Sequence, residues 1–427
     1  MKVMIIGGGG REHALAWKVS KSPLVSKILC IPGNAGIAEV AECLSGDISD
    51  CQGLADLAKE KGIDITIIGP EAPLSLGIVD VFSDNGLLVF GPTREAAQIE
   101  SSKSFAKELM RENGIPTADF EVFTDKDLAL AYVKKKGCPI VVKADGLAAG
   151  KGVIICKALQ EAERAIQQIM VDKVFGSAGD KVVIEDCLVG EEASFLAFTD
   201  GETVLPMASS QDHKPIYDED KGPNTGGMGA YSPAPLVNDG IHQKIMDRVM
   251  NPMIRGMTKR GIPYQGILYA GLMIKDEEPM VLEFNCRFGD PEAQPILMRM
   301  TDDLVPVIQS VMEKRLSEIR LSWSNDASVC VVASSAGYPG SYEKGKEVYG
   351  LDKVPNGSDL AVFHAGTKME YGKVLTNGGR VLGVTALGKD LKHAVERAYD
   401  AMKQLWFEGI YYRKDIAQKG LHRLGLR

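Results

Sequence analysis

The sequence predicts an α/β and α+β protein of several domains that begins with a parallel sheet. Its 427 residues suffice for roughly three domains. Over residues 1–90, short apolar runs alternate with segments of helical periodicity, which is typical of parallel strands joined by helices. The strands of residues 190–320 are instead predicted to be antiparallel. Glycine occurs 46 times without a collagen-like repeat, so these glycines must lie in loops.

The N-terminal part is predicted to alternate strands with helices. We place strands at residues 3–6, 28–31, 65–68 and 87–90, and helices at 12–20 and 54–61. Glycine-rich turns follow three of these strands, at residues 7–10, 32–36 and 69–71. Because ligands of open parallel sheets bind at the carboxyl ends of the strands, these turns are candidate ligand sites.

The remaining elements follow from shorter patterns. Helices are predicted at 94–100 and 103–112, and strands at 139–143 and 152–156 flank the loop 144–151. Near the end, Asn-Gly-Gly-Arg at 377–380 is typical of a hairpin turn, and a helix is predicted at 391–405.

Composition excludes several classes of protein. With 49 basic and 57 acidic side chains the net charge is −8, which argues against binding to nucleic acid or to acidic membranes. The eight cysteines are scattered and have mostly apolar neighbours, which favours buried thiols in a reduced cytosol. No apolar run is long enough for a membrane span and no signal peptide precedes the first strand, so we expect a cytoplasmic protein.

Two glycine-rich segments resemble nucleotide motifs without matching them. In the cluster at 7–13, Glu12 or His13 replaces the last glycine of a dinucleotide fingerprint, and the second strand ends in Ile31-Pro32 without a carboxylate. A phosphate at the following helix N-terminus is favoured; a tight turn alone is the alternative.

The loop 146–151 lacks the Walker A spacing, yet Lys143 and Lys151 can neutralise a triphosphate beneath it. A solvated hairpin is the alternative.

Three further segments carry candidate chemistry. The strand ending at Glu185 and Asp186 suits an adenine clamp, although, taken alone, a surface charge run is the better explanation. Strand periodicity places Glu283, Asn285 and Arg287 on one face, where two oxygen ligands beside a guanidinium can hold Mg²⁺ and phosphates. The polar segments 211–214 and 222–233 predict a long functional loop, with disorder as the alternative.

Together these motifs resemble the glycinamide ribonucleotide synthetase family of ATP-grasp ligases. The resemblance covers the whole chain in order and rests on segments 10–14, 32–36, 69–74, 143–152, 223–233, 283–292 and 412–416. It implies an ATP-dependent, ADP-forming ligase of purine biosynthesis that joins glycine to 5-phosphoribosylamine. It also implies a parallel pre-ATP-grasp sheet, a two-lobed ATP-grasp fold and a C-terminal mixed α/β domain. The expected domains are 1–102 for substrate, a connecting helix 103–120, a lid 121–188, a metal-bearing core 189–323 and a C-terminal domain 324–427.

The resemblance also implies roles for individual residues. The implied ATP contacts are Lys103, Lys143, Gly150, Lys151, Glu185, Leu188 and Glu192. Glu283 and Asn285 would bind Mg²⁺ or Mn²⁺. Asp212 and Arg287 would hold glycine, and together with Lys143 they are the expected catalytic residues. The remaining substrate contacts would come from Gly8, Gly10, Glu12, Gly33, Asn34, Gly36, Pro70, Glu71, Thr225 and Gly226. The expected partners are these small molecules alone, bound by a monomer.

The chemistry requires an activated carboxylate. Glycine carboxylate is a poor electrophile, so ATP would first convert it to glycyl phosphate under a closed loop that excludes water. His13, His213, Asp212, Asp290 or bound phosphate can accept the proton of the attacking amine, and the sequence leaves this choice open. The alternative functions are a different ATP-grasp ligase, such as a carboxylase of a purine intermediate, and a non-catalytic ATP sensor.

Overall fold

The computed structural model describes residues 1–148, 151–355 and 357–426, and it begins with the predicted parallel sheet. Five strands lie in the order β3-β2-β1-β4-β5, and all adjacent pairs are parallel. The strands are β1 (Lys2–Gly7), β2 (Lys27–Pro32), β3 (Glu42–Cys43), β4 (Ile65–Ile68) and β5 (Val89–Phe90). The helices are α1 (Gly10–Val19), α2 (Cys51–Lys61), α3 (Glu71–Leu76), α4 (Ile78–Asp84) and α5 (Gln98–Ser101).

The connecting helix α6 (Lys103–Glu112) has the predicted bounds. Its N-cap is Ser102, whose side chain accepts a hydrogen bond from the Phe105 amide. Gly114 follows the helix with a φ of 63°, a conformation that glycine adopts without strain.

A second, four-stranded sheet lies, apart from Phe120, in the segment 121–188 that is expected to be the lid. Its order is β6-β9-β7-β8, and all pairs are antiparallel. The elements are β6 (Phe120–Phe123), α7 (Lys126–Lys136), β7 (Ile140–Ala144), β8 (Val153–Cys156), α8 (Leu159–Ile166) and β9 (Val182–Asp186). The buried apolar side chains between the sheet and its helices form a cluster of their own, so this unit packs around a separate core.

The third sheet is the central one, and it shares its core with the N-terminal domain. Its antiparallel order is β11-β10-β16-β17, from β10 (Glu191–Asp200), β11 (Val204–Pro206), β16 (Gln265–Lys275) and β17 (Glu278–Asn285). One apolar cluster joins Met4 and Leu29 of the first sheet to Phe195 and Phe284 of this one. The accompanying helices are α9 (Asp239–Ile245), α10 (Asn251–Lys259), α11 (Ala293–Arg299) and α12 (Leu304–Met312).

The C-terminal sheet takes two strands from earlier in the chain. Its order is β12-β15-β18-β22-β19, from β12 (Gln211–Asp212), β15 (Gly229–Ser232), β18 (Ala327–Ser334), β19 (Leu360–His364) and β22 (Arg380–Gly388). The sheet therefore crosses the expected domain boundary at 323/324. Two hairpins, β13 (Pro215–Tyr217) with β14 (Lys221–Asn224) and β20 (Thr367–Glu370) with β21 (Lys373–Thr376), and the helices α13 (Leu391–Met402) and α14 (Gln418–Arg423) complete it.

Two local predictions are wrong in this region. The turn at 377–380 does not join a hairpin, because β21 pairs with β20 whereas β22 pairs with β18 and β19. Glycine is needed there for close packing: a Cβ on Gly366 would lie 2.4 Å from the Gly378 Cα. The segment 222–233 is not one long loop, since it contains the end of β14 and all of β15. In the described part of the chain, no helix is long and apolar enough to cross a membrane.

Candidate functional site

A cavity of about 600 Å³ lies where the four main parts of the fold meet. Its wall includes residues of the N-terminal domain, the lid sheet, the central sheet and the C-terminal domain. Most of the predicted site residues lie in its wall, namely Pro70, Glu71, Lys103, Lys143, Lys151, Glu185, Leu188, Glu192, Asp212, Thr225, Gly226, Glu283, Asn285 and Arg287. Positions that span more than two hundred residues of sequence therefore meet at one site. A concave site with convergent charged groups is the expected form of a small-molecule site.

The first two N-terminal turns are only partly next to this cavity wall. Of the described residues, Gly8, Gly10, Glu12, Gly33, Asn34 and Gly36 are not in the lining. Gly10 adjoins it, since a Cβ placed on Gly10 would lie 3.2 Å from the Asp290 carboxylate, which does line the cavity. A Cβ on Gly33 or Gly36 would instead meet Cys43 or His13, which are outside the lining. Gly150 lies outside the described residues.

Glu12 and Asn34 have structural partners in these turns. The Glu12 carboxylate accepts hydrogen bonds from the Gly9 amide at 2.6 Å and from Arg11 Nε at 2.7 Å, which fixes the start of α1. Asn34 Nδ2 donates to the Gly8 carbonyl at 2.9 Å and to the His364 carbonyl at 2.8 Å. The first two turns are thus tied to each other and to the C-terminal sheet.

The end of β17 carries the densest group of charged residues. Glu283 and Asn285 lie two positions apart on the strand, and Arg287 follows its end. The Arg287 guanidinium donates to Glu100 Oε1 at 2.9 Å and to Asn285 Oδ1 at 3.1 Å, and its Nε lies 3.3 Å from a Glu71 oxygen. Glu100 also accepts the Cys286 amide at 2.7 Å, so it holds both the strand end and the arginine.

The Glu283 carboxylate is held in its charged form. Burial alone would raise its pKa, but Lys214, Lys143 and Lys103 together keep that pKa below its usual range. Lys214 is the nearest of these, with 3.8 Å between its Nζ and Glu283 Oε1. An ionised carboxylate next to an amide oxygen is a hard donor set, which fits a divalent cation such as Mg²⁺.

A buried cluster of three charges lies at the lid side of the cavity. Glu185 forms ion pairs with Lys143 and with Lys107, the latter at 2.5 Å, and all three side chains are almost fully buried. Burial lowers the pKa of Lys107 to about 8, against the opposing effect of Glu185. Lys107 was not predicted, although it lies one helical turn after Lys103 and therefore on the same face of α6.

The start of the lid loop is anchored to α6. Asp145 Oδ1 accepts the Ser104 amide at 2.6 Å, and the Asp145 carbonyl accepts the Lys103 amide at 2.9 Å. Lys103 Nζ donates to the Gly146 carbonyl at 3.0 Å. These bonds fix where the described part of the loop leaves β7, just before Leu147 and Ala148, which line the cavity.

The four proposed proton acceptors differ in their access to the cavity. Asp212 and Asp290 line it, whereas His13 and His213 are buried outside its lining. Burial raises the pKa of Asp212 to about 8, with Lys214 opposing and Glu292 adding to the rise. Burial lowers the pKa of His213 to about 4 and that of His13 to about 3, so both rings are neutral near pH 7. Asp290 is ion-paired with Arg380 at 2.9 Å.

Comparison with known protein families covers nearly the whole chain. Three domains of phosphoribosylglycinamide synthetase match in order: the N domain at residues 1–100, the ATP-grasp (A) domain at 101–293 and the C domain at 328–419. The chain belongs to the phosphoribosylglycinamide synthetase family. The resemblance inferred from the sequence motifs, and the ATP-grasp architecture it implied, are therefore confirmed.

Relatives of this family are similar over their full length. Phosphoribosylamine–glycine ligase of Vibrio vulnificus (strain CMCP6) is 53% identical over 426 residues, and that of Escherichia coli (strain K12) is 51% identical over 429, each with 99% of both chains covered. The crystal structure of phosphoribosylamine–glycine ligase from Thermotoga maritima has a TM-score of 0.86 at 33% identity, covering 98% of this chain and 100% of that one. Biotin carboxylase from Campylobacter jejuni shares the fold at 15% identity, with a TM-score of 0.75 over 100% of this chain and 96% of that one.

Proposed function

We propose that this chain joins glycine to 5-phosphoribosylamine, with ATP cleaved to ADP and phosphate, to give glycinamide ribonucleotide for purine synthesis. The observation that carries the proposal is that Glu283, Asn285 and Arg287 line the same cavity as Lys103 and Lys143. Oxygen donors, lysines and an arginine in one enclosed site are what phosphoryl transfer to a carboxylate requires. Membership of the family supports the same activity.

Glu283 and Asn285 would hold a divalent cation, Mg²⁺ or Mn²⁺. Their charged carboxylate and amide oxygen supply two ligands, and substrate oxygens or water would complete the shell. When bound, such a cation neutralises phosphate charge and orients the transferred phosphoryl group. Arg287 holds Asn285 Oδ1 through a 3.1 Å hydrogen bond.

ATP would lie between β17 and the lid sheet. Lys103 and Lys143 would neutralise its phosphates, the segment through Gly150 and Lys151 would cover them, and the main chain at Glu185 and Leu188 would frame the adenine. Glu192 would accept hydrogen bonds from the ribose hydroxyls. Lys107 supports this arrangement, because it leaves Glu185 neutralised when Lys143 turns toward a phosphate.

Glycine would lie between Asp212 and Arg287. The Arg287 guanidinium would bind the glycine carboxylate, and the Asp212 carboxylate would bind the ammonium group. Attack by the carboxylate on the γ-phosphate gives glycyl phosphate and ADP. The amine of phosphoribosylamine then displaces phosphate from the acyl carbon, with Asp212, Asp290 or the phosphate itself taking its proton.

Phosphoribosylamine would enter from the N-terminal turns. Gly8, Gly10, Glu12, Gly33, Asn34 and Gly36 form or support the turns at the strand ends, and Pro70, Glu71, Thr225 and Gly226 line the adjoining cavity wall. The amides of Gly8 and Gly10, at the start of α1, would suit a phosphate group. Those of Gly9, Gly33 and Gly36 already donate to groups of the protein. A monomeric cytoplasmic enzyme that needs neither nucleic acid nor membrane completes the proposal.

The test is a coupled assay of ADP release by the purified chain. ADP should appear at the full rate only when glycine, phosphoribosylamine and ATP are all present. ADP release that instead depends on bicarbonate, or on a different amine, would assign the site to another ATP-grasp ligase. ATP binding without turnover under all these conditions would indicate a sensor.

A further inference from the structure

Arg380, at the start of β22, reaches the cavity from the C-terminal domain. Its guanidinium donates to the Gly226 carbonyl at 2.8 Å and to the Gly227 carbonyl at 3.3 Å. It also donates to the Asp290 carbonyl at 2.6 Å and to Asp290 Oδ2 at 2.9 Å. One side chain thus joins the loop between β14 and β15 to the segment that follows β17.

A second C-terminal residue holds the same loop from its other side. The Tyr338 hydroxyl accepts the Gly226 amide at 3.0 Å, so both backbone polar groups of Gly226 are bound by residues of the C-terminal domain. Tyr338 and Arg380 both line the cavity. The fit is close, because a Cβ on Gly226 would lie 2.9 Å from the Arg380 Cζ. Gly227 has a φ of 116°, and a Cβ there would lie 2.4 Å from Pro291.

Asp290 extends this connection to the N-terminal domain. Its other oxygen accepts a hydrogen bond from Gln294 at 2.8 Å, and both oxygens face the turn at Gly9 and Gly10. Arg380 therefore links the Thr225–Gly227 loop to the turn where the amine substrate is proposed to enter. Within the described residues, its side chain donates only to this loop and to Asp290, and to no acceptor of the lid sheet or of β17.

We propose that Arg380 is a positioning residue that fixes the loop at 225–227 and Asp290 for the amine substrate. The proposal rests on the proposed function and deepens it: the C-terminal domain determines the affinity for phosphoribosylamine and leaves the ATP subsite alone. Arg380 acts through the loop and Asp290, so its loss loosens groups that contact the substrate. Because this charged side chain makes four such hydrogen bonds, its loss is expected to lower the affinity for phosphoribosylamine by about tenfold to a hundredfold.

The experiment compares Arg380→Met, Arg380→Lys and Tyr338→Phe with the unchanged enzyme. For Arg380→Met we expect the KM for phosphoribosylamine to rise about tenfold or more, while the KM for ATP changes by less than about twofold. Arg380→Lys should recover part of the loss, since a lysine can reach one carbonyl but not the whole set. Tyr338→Phe removes one acceptor and should give a smaller rise. Arg397→Met is the matched control, because Arg397 also bonds a carbonyl and a carboxylate of this domain, Leu387 and Asp359.

Hydrogen exchange at the Gly226 and Gly227 amides gives a readout that does not depend on turnover. Arg380→Met should speed their exchange, and Arg397→Met should not. An unchanged KM for phosphoribosylamine, an equal rise in the KM for ATP, or unchanged exchange would each overturn the proposal. Should Arg380→Met fail to fold, Arg380→Lys and Tyr338→Phe decide by the same criteria. If the unchanged enzyme lacks ligase activity, the proposed function fails, and exchange alone still shows whether Arg380 holds the loop.

Discussion

His13→Asn is expected to remove one acid-sensitive contribution to stability without removing activity. The ring is 3% exposed, and its Nδ1 accepts the His364 amide at 2.8 Å. It packs edge-on against Phe363 with 5.5 Å between ring centres. Burial, reinforced by His364, lowers the pKa of His13 from 6.5 to about 3, so the folded protein keeps the ring neutral.

The size of the effect follows from proton linkage. Because the pKa is lower in the folded state, the unfolded chain binds more protons between pH 6.5 and about pH 3. The stability is therefore fully present above the unfolded value and is lost as the pH falls through this window. One pKa unit is about 1.4 kcal/mol, so His13 alone should cost about 2 kcal/mol of unfolding free energy between pH 7 and pH 5.

Urea unfolding at pH 7, 6 and 5, followed by circular dichroism, measures the difference between the unchanged protein and His13→Asn. Asparagine can still accept the His364 amide but loses ring packing, so the variant should be about 1–2 kcal/mol less stable at pH 7. Between pH 7 and pH 5 the unchanged protein should lose about 2 kcal/mol of unfolding free energy that the variant keeps, so the difference between them should shrink by that amount. Because His13 lies outside the cavity lining, kcat at pH 7 should stay within about tenfold. A gap that is independent of pH, or a larger loss of kcat, would refute the reasoning.

Three further predictions concern the cavity. Glu283→Gln should lower kcat about a thousandfold at saturating Mg²⁺, measured as ADP release, whereas Glu278→Gln at the exposed start of the same strand should not; equal activities would contradict the metal assignment. Lys151→Ala should raise the ratio of ADP formed to ligated product, because an incompletely covered glycyl phosphate is hydrolysed, and an unaltered ratio would count against a covering role. Asp212 must be ionised to bind the glycine ammonium group, so the apparent affinity for glycine should rise as the pH increases through about 8; an identical pH profile in Asp212→Asn would contradict this.

Local patterns predicted the parts of the fold that depend on nearby residues. The strand at 65–68 and the helix at 103–112 have the predicted bounds, because apolar runs and an N-cap serine act within a few residues. The hairpin at 377–380 was wrong for the same reason: a turn motif does not determine which distant strand pairs with β22. That choice depends on β18, about fifty residues earlier in the chain.

The site shows a similar division. Strand periodicity predicts Glu283, Asn285 and Arg287 on one face; β17 ends at Asn285, and all three residues line the cavity. Glu100 and Arg380 were not found, since each reaches the cavity from a distant segment and lies in an ordinary local pattern. Lys107 carried a usable signal, namely its spacing of four residues from Lys103 on one helix. The expected domain boundaries and the individual ligand contacts remain predictions.

The most direct test of the central claim follows an oxygen atom. The chain is incubated with ATP, phosphoribosylamine, Mg²⁺ and glycine labelled with ¹⁸O in its carboxylate, and the released phosphate is analysed by mass spectrometry. If glycine is activated as glycyl phosphate in the cavity around Glu283 and Arg287, one labelled oxygen should appear in phosphate for each ligated product. Product formed together with unlabelled phosphate would contradict the account.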